Sequence, residues 1–242
     1  MTADAAHRLA PGILELHLET HVLAGQKRFY AEALGLQLVG GPGEESDGSF
    51  TIQAGATRFT FSQAAPGEQP LYHFAFNIPE NKLPEAMAWL ARRTPVLRGD
   101  EGKVVSHFES WNAHAFYFRD PAGNIVELIA RHTLPNARPG PFTEHDVLAA
   151  SEIGLVVDDV PATVDELRES LGLTVYRPGS AQFAPVGDEH RLLILNHRDR
   201  GWWEGTPSRP YPVRARLAGG RAAAYRPEAY PYEIVVDNAA AG

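Results

Sequence analysis

The chain has 242 residues, with 30 acidic side chains against 22 Lys or Arg, a net charge of −8 and no cysteine. Disulfides, a thiolate nucleophile and Cys-ligated zinc or iron–sulfur clusters are therefore excluded, so any metal must sit on His, Asp or Glu. The acidic balance argues against a broad nucleic-acid surface. With no basic start followed by an apolar run, and no apolar stretch near the ~20 residues of a membrane span, a cytoplasmic protein without signal peptide or membrane contact is expected.

Residues 13–20, ILELHLET, alternate with period two. Leu14, Leu16 and Leu18 share one face, and Glu15, His17 and Glu19 share the other. That pattern predicts a strand lining a polar cavity, or a half-exposed strand with a solvated outer face. A helix is expected over 22–34, stopped by Gly35, and then short strands at 36–39, 50–54 and 58–62 separated by Gly-rich turns. The order then restarts. Residues 72–78, YHFAFNI, read as an apolar strand with His73 embedded. A helix over 79–93 follows, with strands at 104–108, 113–118 and 125–130.

Residues 132–148 hold three prolines and a glycine among polar residues, the composition of a linker. The order begins a third time with a strand at 151–159, a helix over 161–171 and strands at 174–176, 182–185 and 191–196. Glu15 precedes Gly35 by 20 positions, and Glu152 precedes Gly172 by the same 20, so the third unit copies the first. Residues 198–230 carry seven arginines against three acids and the pair Trp202-Trp203, which read as an arm wrapped over a domain. Two further strands, at 213–217 and 232–236, fit a fourth unit reduced to fragments.

Overlaying the units singles out Glu15 on the opening strand of unit one, His73 on the opening strand of unit two and Glu127 on the closing strand of unit two. The tight turn Asp120-Pro121-Ala122-Gly123 aims the last of these strands back across the sheet. Glu127 lies between Val126 and Leu128, so it points away from their apolar face. A His with carboxylates suits Fe(II), Mn(II), Zn(II) or Ni(II), with positions left open for substrate.

The segments FYAEALGLQLV (29–39), HFAF (73–76) and FYFRDPAGNIVEL (116–128) resemble the vicinal oxygen chelate superfamily. That superfamily includes glyoxalases, extradiol dioxygenases and bleomycin-resistance proteins. The resemblance implies an α+β fold of repeated βαβββ units in open, curved mixed sheets. It covers 13–131 best and 151–197 less closely. Units one and two (13–131) are expected to pair into a metal-binding cup. After the linker 132–148, residues 149–242 are expected to hold a metal-free third unit with degenerate C-terminal strands and an arm. The third unit pairs within the chain or across a homodimer.

By the same resemblance His73 and Glu127 fall on metal-ligand positions. The first-strand ligand, commonly His in the superfamily, is left between Glu15 and His17. A near match to the extradiol signature sets His107 as an acid/base and Tyr117 as a hydrogen-bond donor, although the eight-residue spacer after His107 is about one residue longer than the family's. The resemblance thus implies a divalent-metal enzyme acting on a small-molecule substrate, an extradiol-type ring-cleaving oxidoreductase on Fe or Mn. The rivals are a glyoxalase-like lyase or isomerase on Zn or Ni, and a metal-free, resistance-type binding protein.

Overall fold

The computed structural model describes residues 12–40, 48–99 and 102–238. Fourteen strands form two seven-stranded mixed sheets. In the first sheet, β1 (Ile13–Thr20) lies between β4 (Thr57–Gln63) and β12 (Val213–Gly219). β3 (Ser49–Ala54) and β2 (Gln37–Val39) extend one side, and β14 (Tyr232–Asn238) and β13 (Ala223–Tyr225) extend the other. In the second sheet, β5 (His73–Ile78) lies between β8 (Ile125–Arg131) and β9 (Ala149–Val157). β7 (Ala113–Arg119) and β6 (Ser106–Phe108) follow β8, while β11 (Arg191–His197) and β10 (Phe183–Asp188) follow β9. Three short helices lie against the sheets: α1 (Leu23–Lys27), which runs on into a π-helical turn at Arg28–Ala33, α2 (Leu83–Ala91) and α3 (Val160–Leu171).

The expected α+β architecture is present, but the pairing of the units differs from the expectation. Unit two combines with unit three, and unit one combines with the C-terminal strands. The antiparallel seam between β5 and β9 makes the first joint, and that between β1 and β12 the second. The third unit therefore pairs within the chain. The fragments at 213–217 and 232–236 are full strands, whereas 174–176 makes only an isolated bridge from Val175 to Val186. The linker range carries no strand, yet Leu134, Phe142, Val147 and Leu148 within it are buried.

Strand alternation explains why the two sheets pack. Leu16 and Leu18 of β1, with Phe59 and Phe61 of β4, meet Phe74 and Phe76 of β5 in one core. The Phe59 and Phe74 rings touch edge to face at 5.0 Å. Thr57 bolts the sheets together, because its Oγ1 donates to the Ile13 carbonyl at 2.7 Å and accepts from the Ala150 amide at 2.9 Å. With the even-numbered aromatics of β5 committed to the core, His73, Ala75 and Asn77 must face the other side of the second sheet.

The turn at 120–123 does more than reverse the chain. Asp120 Oδ1 accepts from the amides of Ala122 and Asn124. Its Oδ2 accepts from Gln26, Tyr30 and Asn124 side chains at 2.7, 2.9 and 2.8 Å. The buried carboxylate thus anchors α1 and its π-helical turn, which belong to unit one, onto the strand pair β7–β8 of unit two. No helix among the described residues is long and apolar enough to cross a membrane.

Candidate metal centre

His73, Glu127 and Glu152 meet on the outer face of the second sheet. Register places them there: Ala75 of the central strand is opposite Glu127 on one side and Glu152 on the other. His73 is two residues from Ala75 and shares its face. One ligand atom from each of the three lies within 4.8 Å of the others, the only such group of metal-capable side chains among the described residues. All three are buried.

The hydrogen bonds define which atoms are free. His73 Nδ1 lies 3.1 Å from the Ile125 carbonyl, which can only accept, so Nδ1 carries the proton and Nε2 keeps its lone pair. Burial is the main cause that pushes His73 down to about 4, with the Ile125 bond opposing and the Arg200 charge adding to the drop. The ring is therefore neutral at pH 7, and its Nε2 faces Glu127 Oε2 at 3.6 Å, too far for a hydrogen bond.

Burial also raises the Glu127 carboxyl well above the usual range, with the Glu152 charge adding and Arg131 and the Tyr117 hydroxyl opposing. Glu152 is raised by burial and held back by Arg131. Arg131, fully buried, donates to Glu152 and through Nε to Asn77 Oδ1 at 3.1 Å. Neutral imidazole nitrogen and carboxylate oxygens thus converge with no donor between them. A divalent cation satisfies that arrangement, and the Nδ1–H to carbonyl bond orients the His as in known metal sites. The residues fit the metal. The donor set suits Fe, Mn, Zn or Ni alike.

These groups form the floor of a cavity of about 370 Å³ that is also lined by Ser106, Phe108, Trp111, Tyr117, Phe183 and Arg200. Trp202 and Trp203 roof it. The arm expected from the sequence is this roof. Trp202 packs against His73 at 5.3 Å and Trp203 against Tyr117 at 5.0 Å between ring centroids. Arg119, at the end of β7, holds the arm through Thr206 Oγ1. Trp202 can lie flat over β9 only because Gly154 has no side chain: a Cβ there would stand 2.4 Å from the indole ring. Gly154→Ala should therefore swing Trp202 outward, with a red-shifted emission and greater acrylamide quenching. The same substitution in a Trp202→Phe background should leave both readings unchanged. Unaltered emission in Gly154→Ala would contradict this placement of the roof.

Tyr117 and Glu127 are cross-strand neighbours, and both line the cavity. The other expected residues lie elsewhere. Glu15 and His17 are on the first sheet. Glu15 pairs with Arg216 at 2.6 Å, and half-buried His17 meets Ser62 Oγ at 2.8 Å. Their strand takes the bland alternative, a half-exposed strand with a solvated polar face, because unit one pairs with β12 rather than with unit two. His107 is opposite His114 in register, on the face away from Tyr117, and stacks on the His114 ring at 4.3 Å. Glu152, from the unit expected to be metal-free, takes the place considered for Glu15. The matched 20-residue spacing already marked the two glutamates as equivalent.

No protein-family model matches the sequence, and no curated protein matches it significantly. The fold is nevertheless shared with solved proteins: two curled, mixed, seven-stranded sheets of βαβββ units, the fold seen in glyoxalases and dioxygenases. Similar solved structures include a provisionally named dioxygenase from Bacillus subtilis, with TM-score 0.60 and 16% identity over 96% of this chain and 86% of that one. Glyoxalase I from Zea mays matches with TM-score 0.53 and 15% identity over 95% and 93% of the two chains. A point mutant of the same maize enzyme gives TM-score 0.57 at 13% identity over 93% and 92%.

Proposed function

We propose that the protein is a divalent-metal-dependent enzyme that moves a proton on a small substrate carrying two adjacent oxygens, a glyoxalase-type lyase or isomerase. The observation that carries this reading is the convergence of neutral His73 Nε2 with the Glu127 and Glu152 carboxylates, without an intervening donor, under an aromatic roof. A divalent ion held by these three residues would polarise adjacent substrate oxygens as a Lewis acid and make a neighbouring C–H more acidic. Glu127 is the group suited to accept that proton and return it to the adjacent carbon. Burial makes it a stronger base than an ordinary carboxylate, and the neighbouring Tyr117 hydroxyl is neutral. Glu152 is less free to do so, because the Arg131 guanidinium grips it. Trp202 and Trp203, packed beside His73 and Tyr117, would limit the access of water to the proton in transit.

Ring cleavage is the second reading. It is favoured by Tyr117, which faces the cavity as the extradiol signature requires. The position of His107 weighs against it, since that imidazole would have to serve as acid/base from the opposite face of the sheet. The two readings separate in one experiment. Protein loaded with Ni, Zn, Mn or Fe is incubated in D2O without oxygen with a panel of α-hydroxycarbonyl compounds, and deuterium at the adjacent carbon is followed by NMR. In parallel it is given catechols in air with an oxygen electrode. Metal-dependent deuterium uptake without oxygen is expected. Oxygen consumption with a ring-opened product would transfer the assignment to the second reading. Ligand binding that survives chelation, with neither reaction, would make the cup a binding site.

A further inference from the structure

Arg200 lines the cavity, and among the described residues no carboxylate forms an ion pair with it. Asp199, its neighbour in sequence, faces His197 at 3.6 Å, and Asp158 pairs with Arg198. Arg200 Nη1 donates instead to the neutral Oδ1 of Asn196 at 2.6 Å, and the guanidinium lies over the Phe183 ring, 4.8 Å from its centroid. The position is built. Asn196 is fully buried on β11 and returns a bond to the Arg200 carbonyl, to which Ser208 Oγ also donates at 2.9 Å. The charge is thus fixed in direction by a rigid strand and by its own backbone. It is also partly desolvated, and burial lowers the Arg200 guanidinium from its ordinary value.

The surroundings narrow the ligand. Phe108, Trp111, Phe183, Trp202 and Trp203 make the walls aromatic, and Trp202 Nε1 is a buried donor without an acceptor. A volume of about 370 Å³ is at the small end for ligand sites. Glu127 and Glu152 are balanced in charge by Arg131 and Arg200, so a divalent ion would leave the filled centre positive and complementary to an anion. The planar guanidinium fork matches a carboxylate in two parallel hydrogen bonds.

We infer that Arg200 is a specificity residue that binds the carboxylate of a small, flat aromatic acid, whose adjacent oxygens then face His73, Glu127 and Glu152. The inference rests on the reading of those three residues as the reaction centre. Its test compares benzoate with the uncharged isostere benzamide by titration calorimetry, on manganese-loaded and on chelator-stripped full-length protein. A charge-assisted pair predicts about 10- to 100-fold tighter binding of benzoate. Arg200→Gln should abolish that preference while melting as the parent does and binding manganese normally, and Arg200→Lys should keep a large part of it. Equal binding of the two probes, or a preference for benzoate that survives in Arg200→Gln, would overturn the inference, the latter by showing that the metal or another group takes the carboxylate. If the protein binds no manganese yet the preference holds and depends on Arg200, the carboxylate site stands and the metal reading falls.

Discussion

Glu127→Gln should bind a divalent ion at least about 100-fold more weakly than the parent chain and lose turnover with it, whereas Glu15→Gln should change neither. Replacing a partner that merely orients a metal ligand already costs about 10- to 100-fold, so removing a ligand charge sets that range as a floor. The change is nearly isosteric, so the fold should persist. Glu15 has the same chemistry and the equivalent place in its unit, but it pairs with Arg216 on the solvated face of the other sheet. The contrast therefore tests position rather than residue type. Manganese titration of both variants, with melting curves as the check on folding, decides it. Equal affinities in Glu127→Gln and the parent would remove Glu127 from the centre.

Asp120→Ala should destabilise the protein by about 3–5 kcal/mol, as expected for breaking a buried, charged hydrogen-bond network. One carboxylate takes donors from two backbone amides and from Gln26, Tyr30 and Asn124. Its loss leaves Gln26 and Tyr30, both fully buried, with unanswered donors. Asn in its place still fails, because it sets an amide N–H among groups that donate. Urea unfolding should show the loss, with a melting point lower by roughly 10 °C for a chain of this size. A change below about 1 kcal/mol would mean that the anchor between α1 and the β7–β8 turn contributes little.

Much of the fold was legible. Period-two strands, Gly-marked helix ends and matched spacings disclosed the repeated unit, because these signals are local. Alternation also showed that Glu127 points away from Val126 and Leu128, whereas His73 and Tyr117 were picked out by the matched units and the family resemblance. Which unit pairs with which is not a local property. It depends on the β5–β9 and β1–β12 seams, between segments whose apolar patterns are alike, and so Glu152 could not be told from its copy Glu15. His107 illustrates the same limit at smaller scale. Its sheet face follows from the Ser106–Ala115 register, which depends on the turn through Trp111 and Asn112. The roof had a signal, the adjacent Trp202 and Trp203 in an Arg-rich arm, but nothing in those residues says what they cover. The complementary clue lay in Gly154, a glycine inside a strand, whose meaning emerges only when the indole is seen above it.

The central claim is that His73, Glu127 and Glu152 form one metal centre across the joint between units two and three. An anomalous difference map from crystals soaked in manganese tests it most directly. The account predicts a single strong peak about 2.0–2.3 Å from His73 Nε2 and from one oxygen of each glutamate, absent in crystals of His73→Ala. Manganese bound elsewhere on the protein with that site empty, or a peak at the site that persists in His73→Ala, would contradict it.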